Sequence, residues 1–362
     1  MQLDASSHGV YLHIPFCSKR CDYCAFATFT DRHHLTGEYL RAMRIHINTV
    51  VAQGMLPATS VFVGGGTPSM VPAEELVAVI REIPLAPNAE VTVECNPDNI
   101  TLQMMRTYRD GGVNRISIGV QSTVPHVLAA LGRTHDPENV RRSVAYVREA
   151  GFTTFNLDII YGAAGEAVTD WRTTVSDVVA LDPPHVSAYG LTVEANTPLA
   201  TQPERHPDND DQADKYELVD ELFANSGLVN YEISNWAKPG HECKHNYLYW
   251  LQGNYDGFGC AAHAHKDGRR WWNVRTPDRY IEMVNAGEIP ESSSEMLDSE
   301  TRKLEALQLL VRVRDGVPLD ALSMQDRELM SDLITQVGDR LVLTRAGRLM
   351  ANEVSLRLRV VA

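Results

Sequence analysis

Short β-branched runs alternate, through the first half of the chain, with longer segments whose apolar residues recur at three- and four-residue spacing. The runs at 10–14, 60–63, 90–94, 115–119, 154–160 and 186–191 predict strands, and the segments 39–51, 74–80, 140–150 and 171–181 predict helices. Such βα alternation implies a parallel sheet covered on both faces. Right-handed crossovers curl a sheet of this kind into an open or closed barrel. Active sites in barrels gather at the carboxyl ends of the strands. The polar signals of this sequence fall there. Cys17 follows the first strand, Gly64-Gly65-Gly66-Thr67 the second, Glu94 the third and Gln121 the fourth, while Asp158 lies late in the fifth.

The second half reads differently. Residues 201–214 are rich in Pro, Asn and Asp and predict a solvated connection before a helical stretch at 216–223. Residues 231–272 are dense in aromatics and histidine. From about 292 the pattern predicts helices at 299–313 and 325–336, followed by a β-wing at 340–344. The expected division is therefore a core barrel over 1–200, a barrel-associated segment over 201–290 and a small, mainly helical, winged-helix-like domain over 291–362. Winged helices often bind DNA, but Asp and Glu balance the Arg of this one, which favours a docking or lid role.

Composition narrows the function classes. A chain of 362 residues, 44% hydrophobic and 22% charged, can bury one large core and carry a second small domain. Its formal net charge of −14 disfavours a broad nucleic-acid footprint, which needs clustered Lys and Arg. No run approaches the roughly 20 apolar residues of a membrane span, so no integral membrane segment is expected. The start, Met1 to His8, lacks the basic and then apolar regions of a signal peptide, and the default address is the cytoplasm. In that reducing compartment clustered thiols serve metal or redox chemistry, and three of the six cysteines are clustered.

These three, Cys17, Cys21 and Cys24, form C-x3-C-x2-C on a loop after the first strand. Three thiolates can ligate three irons of a [4Fe–4S] cubane, leaving the fourth iron open to a small molecule. The competing reading is a zinc site using the thiols with His13 or another histidine. Structural zinc usually takes paired knuckles, however, and Cys95, Cys243 and Cys260 are isolated.

This spacing closely resembles the radical S-adenosylmethionine (SAM) superfamily, in which SAM chelates the open iron and is cleaved to a 5′-deoxyadenosyl radical. The resemblance implies a partial (βα)6 TIM-like barrel of the α/β class. It also implies SAM contacts from Tyr11, from Gly65, Gly66 and Thr67 of the glycine-rich stretch, and from Glu94, Gln121, Arg133 and Asp158. These last four lie within Val93-Glu94-Cys95-Asn96-Pro97, Gly119-Val120-Gln121-Ser122, Leu131-Gly132-Arg133-Thr134-His135 and Asn156-Leu157-Asp158. Taken singly, each is equally an ordinary polar residue at a strand end.

Over nearly its full length the chain resembles the oxygen-independent coproporphyrinogen III oxidase-like lineage. Tyr11-Leu12-His13-Ile14-Pro15-Phe16-Cys17, Gly64-Gly65-Gly66-Thr67-Pro68-Ser69, Tyr231-Glu232-Ile233-Ser234-Asn235-Trp236-Ala237 and Leu343-Thr344-Arg345-Ala346-Gly347-Arg348 carry that likeness. One branch, the dehydrogenase, decarboxylates two propionates of a porphyrinogen. Its motif continues to a fourth cysteine where this chain has Phe26, and its N-terminal extension is longer than the residues preceding Cys17 here. The other branch comprises HemW-type haem chaperones, whose HNxxYW hallmark is matched by His245-Asn246-Tyr247-Leu248-Tyr249-Trp250. That branch implies haem as ligand, acceptor haemoproteins as partners and His245 as a haem residue. The residue-level alternative for His245 is a core histidine amid structural aromatics. Cys243, His241, His263 and His265 are further candidate iron ligands nearby. The segment from Gly257 to His265 departs from the glycine- and serine-richer form of the family. Radical modification of RNA or protein fits the cysteines equally, but not the acidic charge or HNxxYW.

Overall fold

The computed structural model describes residues 7–360. Most of the leader reading above, residues 1–6, lies outside them. Six strands succeed one another: β1 (His8–Ile14), β2 (Ala58–Gly65), β3 (Leu85–Cys95), β4 (Arg115–Gln121), β5 (Thr154–Tyr161) and β6 (His185–Gly190). Each pairs parallel with the next, from Leu12 opposite Val63 to Asp158 opposite Ser187. The helices between them are α1 (Thr36–Ala52), α2 (Ala73–Ile80), α3 (Leu102–Asp110), α4 (Pro125–Ala130), α5 (Pro137–Glu149) and α6 (Val168–Ala180). Neither α3 nor α4 was among the helices read from the sequence. In α3 only Met105 and Tyr108 are buried, and α4 is six residues long, too short for periodicity to register.

Strand side chains alternate between two environments. Val10, Leu12 and Ile14, with Val61, Val63, Val91, Val93, Ile116, Ile118, Leu157 and Ile159, join one continuous core that includes Leu40, Met43 and Ile47 of α1 and Trp171 and Val175 of α6. The alternate residues face inward and are largely polar or aromatic: Tyr11 and His13 of β1, Phe62 of β2, Glu94 of β3, Arg115 and Ser117 of β4, Asn156 and Asp158 of β5. The outer face thus supplies the hydrophobic stabilisation, and the inner face is left for chemistry.

The six strands are the middle of a larger sheet. After α7 (Asn209–Asn225) come β7 (Val229–Glu232), β8 (Asn235–Ala237), α8 (Lys244–Trp250), β9 (Asn254–Phe258), β10 (His263–Lys266), β11 (Arg269–Asn273), α9 (Pro277–Asn285) and β12 (Glu291–Met296). The sheet has 12 strands in the order β12-β11-β10-β9-β1-β2-β3-β4-β5-β6-β8-β7. β9 lies parallel to β1, whereas β8 lies antiparallel to β6. Helix α7 begins inside the stretch read as loop, because Asp208 caps it by accepting from the Asp210 and Asp211 N–H groups. β12, which the sequence reading assigned to the third part, pairs with β11 of the second.

Beyond β12 lie α10 (Ser299–Leu310), β13 (Val317–Pro318), α11 (Met324–Leu329), β14 (Ile334–Val337), β15 (Arg340–Leu343), α12 (Arg345–Leu349) and α13 (Ala351–Ser355). Here the expected helix at 325–336 is corrected. It ends at Leu329, and Ile334-Thr335-Gln336-Val337 pairs with β15 as a hairpin turning at Gly338, which has φ 61°. Three β-branched residues, Ile334, Thr335 and Val337, favour that strand, and the glycine supplies the left-handed turn. The three-stranded sheet β13-β15-β14 packs with the helices around Val311, Leu322, Ile334, Leu341 and Val354.

This wing is fastened to the barrel through Asp220 of α7. Its carboxylate accepts from Trp236 Nε1 at 2.9 Å, Arg345 Nε at 2.6 Å and Arg348 Nη2 at 2.8 Å. Burial raises the pKa of this carboxyl, but the bonds from Arg348, Trp236 and Arg345 outweigh it and hold it below the ordinary value. A depressed carboxylate contributes stability that is full above its unfolded pKa and lost as pH falls through the lower folded value. D220A is expected to lower unfolding free energy by about 3 kcal/mol, since it strands an indole N–H and two guanidinium groups. Urea denaturation at pH 7 and at a pH well below the ordinary carboxylate value of about 3.9 checks both size and sign: the gap between parent and variant should narrow at the lower pH. Among the described residues no helix is long and apolar enough to cross a membrane.

Candidate functional site

The inner faces of the strands enclose a cavity of about 700 Å³. One wall comes from the loop after β1, through Ala25, Phe26 and Ala27. The opposite wall comes from the second half of the chain, through Asn246, Tyr249, Tyr255, Ala261 and His263. The cavity floor is a polar network. Ser117 Oγ donates to Asp158 Oδ2 at 2.8 Å, and Asn156 Nδ2 lies 2.8 Å from Asp158 Oδ1 and 2.9 Å from Ser187 Oγ. His185 holds Asn156 from behind, with Nδ1 2.6 Å from its Oδ1.

The cysteine loop leaves β1 at its carboxyl end and is folded back by an isolated bridge between Phe16 and Phe29. Cys17 N donates to Phe29 O at 3.1 Å, and Cys24 N donates to Cys21 O at 3.2 Å. All three thiols are free and partly exposed. Arg133 Nη1 lies 3.7 Å from Cys21 Sγ, while its Nη2 donates to Gly119 O at 3.0 Å. A guanidinium fixed in this way places a positive charge beside the thiol cluster. Burial pushes the Cys17 and Cys24 thiols up, so these two depend on a metal to lose their protons. The segment after β6 also pins the loop, through an ion pair of 2.8 Å between Arg205 and Asp22.

The zinc reading loses His13 as its fourth ligand. His13 Nδ1 is 3.0 Å from the Tyr11 hydroxyl and its Nε2 is 2.9 Å from Ala27 O, so neither ring nitrogen is available. Among the described residues no three His, Cys, Asp or Glu side chains gather as a single-ion site. A cubane asks for three separate corners instead.

The glycine-rich stretch serves close backbone approach. Gly66 N donates to Ile14 O at 2.7 Å and Thr67 N to Phe16 O at 2.8 Å; a Cβ on Gly66 would lie 2.7 Å from the Phe16 carbonyl oxygen. Alanine there has no room. Thr67 Oγ1 lies 3.6 Å from Cys17 Sγ, so the stretch reaches the first thiol. Glu94 accepts from Gly65 N at 3.2 Å, yet burial and the neighbouring Asp158 push its carboxyl up to about 8. Burial also raises Asp158, against hydrogen bonds from Ser117, Ser187 and Asn156.

Gln121 stands at a bulge where β4 shifts register against β5, with φ 61°. A non-glycine residue in that region is strained, and such strain concentrates at ligand sites. Among the described residues its Oε1 has no hydrogen-bond partner, although it is buried. Carboxyl, amide and guanidinium groups from β3, β4 and the segment after α4 thus stand beside the thiols, a donor set suited to a zwitterion carrying a ribose.

The HNxxYW residues lie on α8 and divide among its faces. Asn246 and Tyr249 line the cavity. His245 does not. Its ring is wholly buried toward the amino ends of β1 and β2, stacked on Phe62 with centroids 5.5 Å apart. Nδ1 is 2.9 Å from Ser60 Oγ and Nε2 is 2.7 Å from the Tyr249 hydroxyl. Burial pulls its pKa to about 3. Both nitrogens are therefore engaged, and the ring is neutral. Of the other candidates, His241 Nδ1 bonds Thr154 Oγ1 at 2.9 Å and Cys243 is buried against Glu90, both away from the cavity.

Residues 11–178 match the model of the radical SAM superfamily. The chain is 40% identical to the haem chaperone HemW of Mycobacterium tuberculosis over 364 residues, spanning 96% of this chain and 93% of that protein. With the haem chaperone HemW of Escherichia coli it shares 34% over 96% of each chain. With that of Bacillus subtilis it shares 32%, over 96% and 97%. The chain belongs to the HemW family. The fold agrees with a solved radical SAM enzyme, coproporphyrinogen III oxidase (HemN) of E. coli, at a TM-score of 0.82 over 97% of this chain and 89% of that one. At 21% identity that likeness concerns the fold alone.

Within this HemW family member, sequence reasoning missed the polar floor formed by Arg115, Ser117, Asn156, His185 and Ser187. The signal was present. Arg115-Ile116-Ser117-Ile118 and His185-Val186-Ser187-Ala188 alternate strictly, and in a strand that alternation marks one polar face.

Proposed function

We propose that this protein is a haem chaperone that binds haem in the barrel cavity and hands it to acceptor haemoproteins. The observation that carries the reading is the shared cavity: cysteine-loop residues Ala25 and Phe26 and motif residues Asn246 and Tyr249 line one space. Its volume of about 700 Å³ lies within the range for ligands of this size. Likeness to HemW chaperones over the whole chain supports the same conclusion.

In this reading Cys17, Cys21 and Cys24 hold a [4Fe–4S] cluster, and SAM occupies its open corner. When bound, that pair supplies one-electron chemistry. The chain's own residues do the positioning. Arg133 steadies the Cys21 thiolate, Gly65, Gly66 and Thr67 bring the second strand against the loop, and Tyr11, Glu94, Gln121 and Asp158 offer polar contacts to SAM. Phe26, 63% exposed, presents an apolar face where a fourth cysteine would otherwise stand, which suits a flat macrocycle better than an iron centre. His245 acts as a positioning residue: it fixes the Tyr249 hydroxyl and so the cavity wall. The free state of all six cysteines supports a cytoplasmic address. The wing beyond β12 serves as a docking element for the acceptor.

Anaerobically reconstituted protein titrated with haemin is expected to bind one equivalent, followed at the Soret band. The same sample incubated with coproporphyrinogen III, SAM and reductant is expected to yield no protoporphyrinogen IX. Absence of haem retention, or turnover of the porphyrinogen, would overturn the reading.

A further inference from the structure

The cavity wall contributed by β10 and β11 differs from the rest in one respect. Three histidines line the cavity: His13, His263 and His265. Both ring nitrogens of His13 are engaged, as described. His265 Nδ1 is 2.9 Å from Gly253 O, and its Nε2 accepts from Gly268 N at 3.1 Å. His263 is exposed, and among the described residues neither of its ring nitrogens has a hydrogen-bond partner. The phenols of Tyr11, Tyr189, Tyr249 and Tyr255 also line the cavity, but burial pushes all four up, away from the phenolate that iron would need.

We propose that His263 is an axial ligand of the haem iron. This assignment rests on the haem reading above and names the residue that anchors the cargo. His263 opens β10 opposite Trp272 of β11, and the two rings stack with centroids 5.6 Å apart and planes 26° apart. The indole holds the imidazole in place without consuming either nitrogen. A neutral imidazole is the form that donates a lone pair to iron, and partial desolvation together with the charge of Arg270 lowers the pKa of this ring. Arg270 and Arg275 line the same cavity, in unequal states. Arg270 is already bound to Glu295 at 2.9 Å and Glu305 at 2.6 Å. Arg275 is exposed, lines the same cavity and has no ion-pair partner among the described residues. One histidine and one unpaired arginine on the same wall match an iron centre with a carboxylate at its edge.

The test compares the reconstituted full chain with H263A and H263M. Haemin binding to H263A is expected to weaken by about tenfold or more and to lose the spectrum of imidazole-ligated iron. Added imidazole should restore that spectrum, and H263M should shift it toward thioether ligation. Because His263 is exposed, loss of fold is not expected, and circular dichroism checks this. An H263A variant with the parent's affinity and spectrum overturns the assignment. So does one that binds weakly yet keeps imidazole ligation. If the unsubstituted chain binds no haem, the chaperone reading itself fails, so the two failures are told apart.

Discussion

H245A is expected to lower the stability of the haem-free chain by about 3–5 kcal/mol, adding two stranded hydroxyls to the cavity left by the ring. The ring fills a site where Gly9 approaches its Cε1, Phe62 stacks on it, and Ser60 and Tyr249 hydrogen-bond it on opposite edges. Truncation removes the partner of both the Ser60 and the Tyr249 hydroxyls. Urea unfolding of apo protein measures the effect directly, and an unchanged midpoint would mean that the ring is not structural. The protonation state gives a second readout. A histidine whose folded pKa is about 3 instead of 6.5 contributes stability that is present above 6.5 and lost as pH falls toward 3. Between those values the parent should lose more stability with each step down in pH than H245A does. Haem binding by such a variant must therefore be judged against its folded fraction, because loss of haem would follow from loss of fold as readily as from loss of a ligand.

Alanine at any one of Cys17, Cys21 or Cys24 is expected to reduce reconstituted iron from about four atoms per chain to well below one, with loss of the cluster's visible absorption. No reserve thiol stands nearby to compensate. Cys95 is buried with its pKa pushed up, and Cys243 and Cys260 are buried with theirs pushed up to about 12. Two thiolates and an open loop cannot hold a cubane. Iron and sulfide assay, alongside the absorption spectrum, checks this, and full cluster content in a single variant would remove that cysteine from the ligand set. The fold should persist. The three side chains are only partly buried, and the loop is held by the Phe16–Phe29 bridge and by Arg205, not by the thiols.

The barrel and the strand ends that carry the candidate site were legible because the polar signals of this parallel sheet fall at the carboxyl ends of its strands. A β-branched run followed by a cysteine, three glycines, Glu94 or Gln121 identifies both the strand and its productive terminus. What escaped notice had weaker local signals. β7 to β12 are short strands whose pairing depends on partners far away in sequence, and Ile334–Val337 was absorbed into a helical reading because its four residues carry too little periodicity of their own. The interior network was missed for another reason: Arg115 and His185 are buried charges and rings that the usual expectation for a doubly covered sheet fills with Val and Ile. His245 shows the limit of motif reasoning. A spacing identifies a turn of helix, but only the packing tells which of its faces looks into the cavity.

Gly9 of the first strand has Tyr255 as its outer neighbour, and Ser187 of the sixth has Asn235. Both borders of the central sheet are thus closed by segments made after all six of its strands. Until β8 and then β9 emerge, the nascent half-barrel carries unpaired edges of backbone N–H and C=O groups, a template for pairing with other chains. Closing the β1 edge means bringing Gly9 to Tyr255, across most of the chain, and such non-local contacts slow folding. Truncations that stop short of β9 should therefore accumulate as aggregates, and the newly made protein should depend on holding factors that the finished one can dispense with.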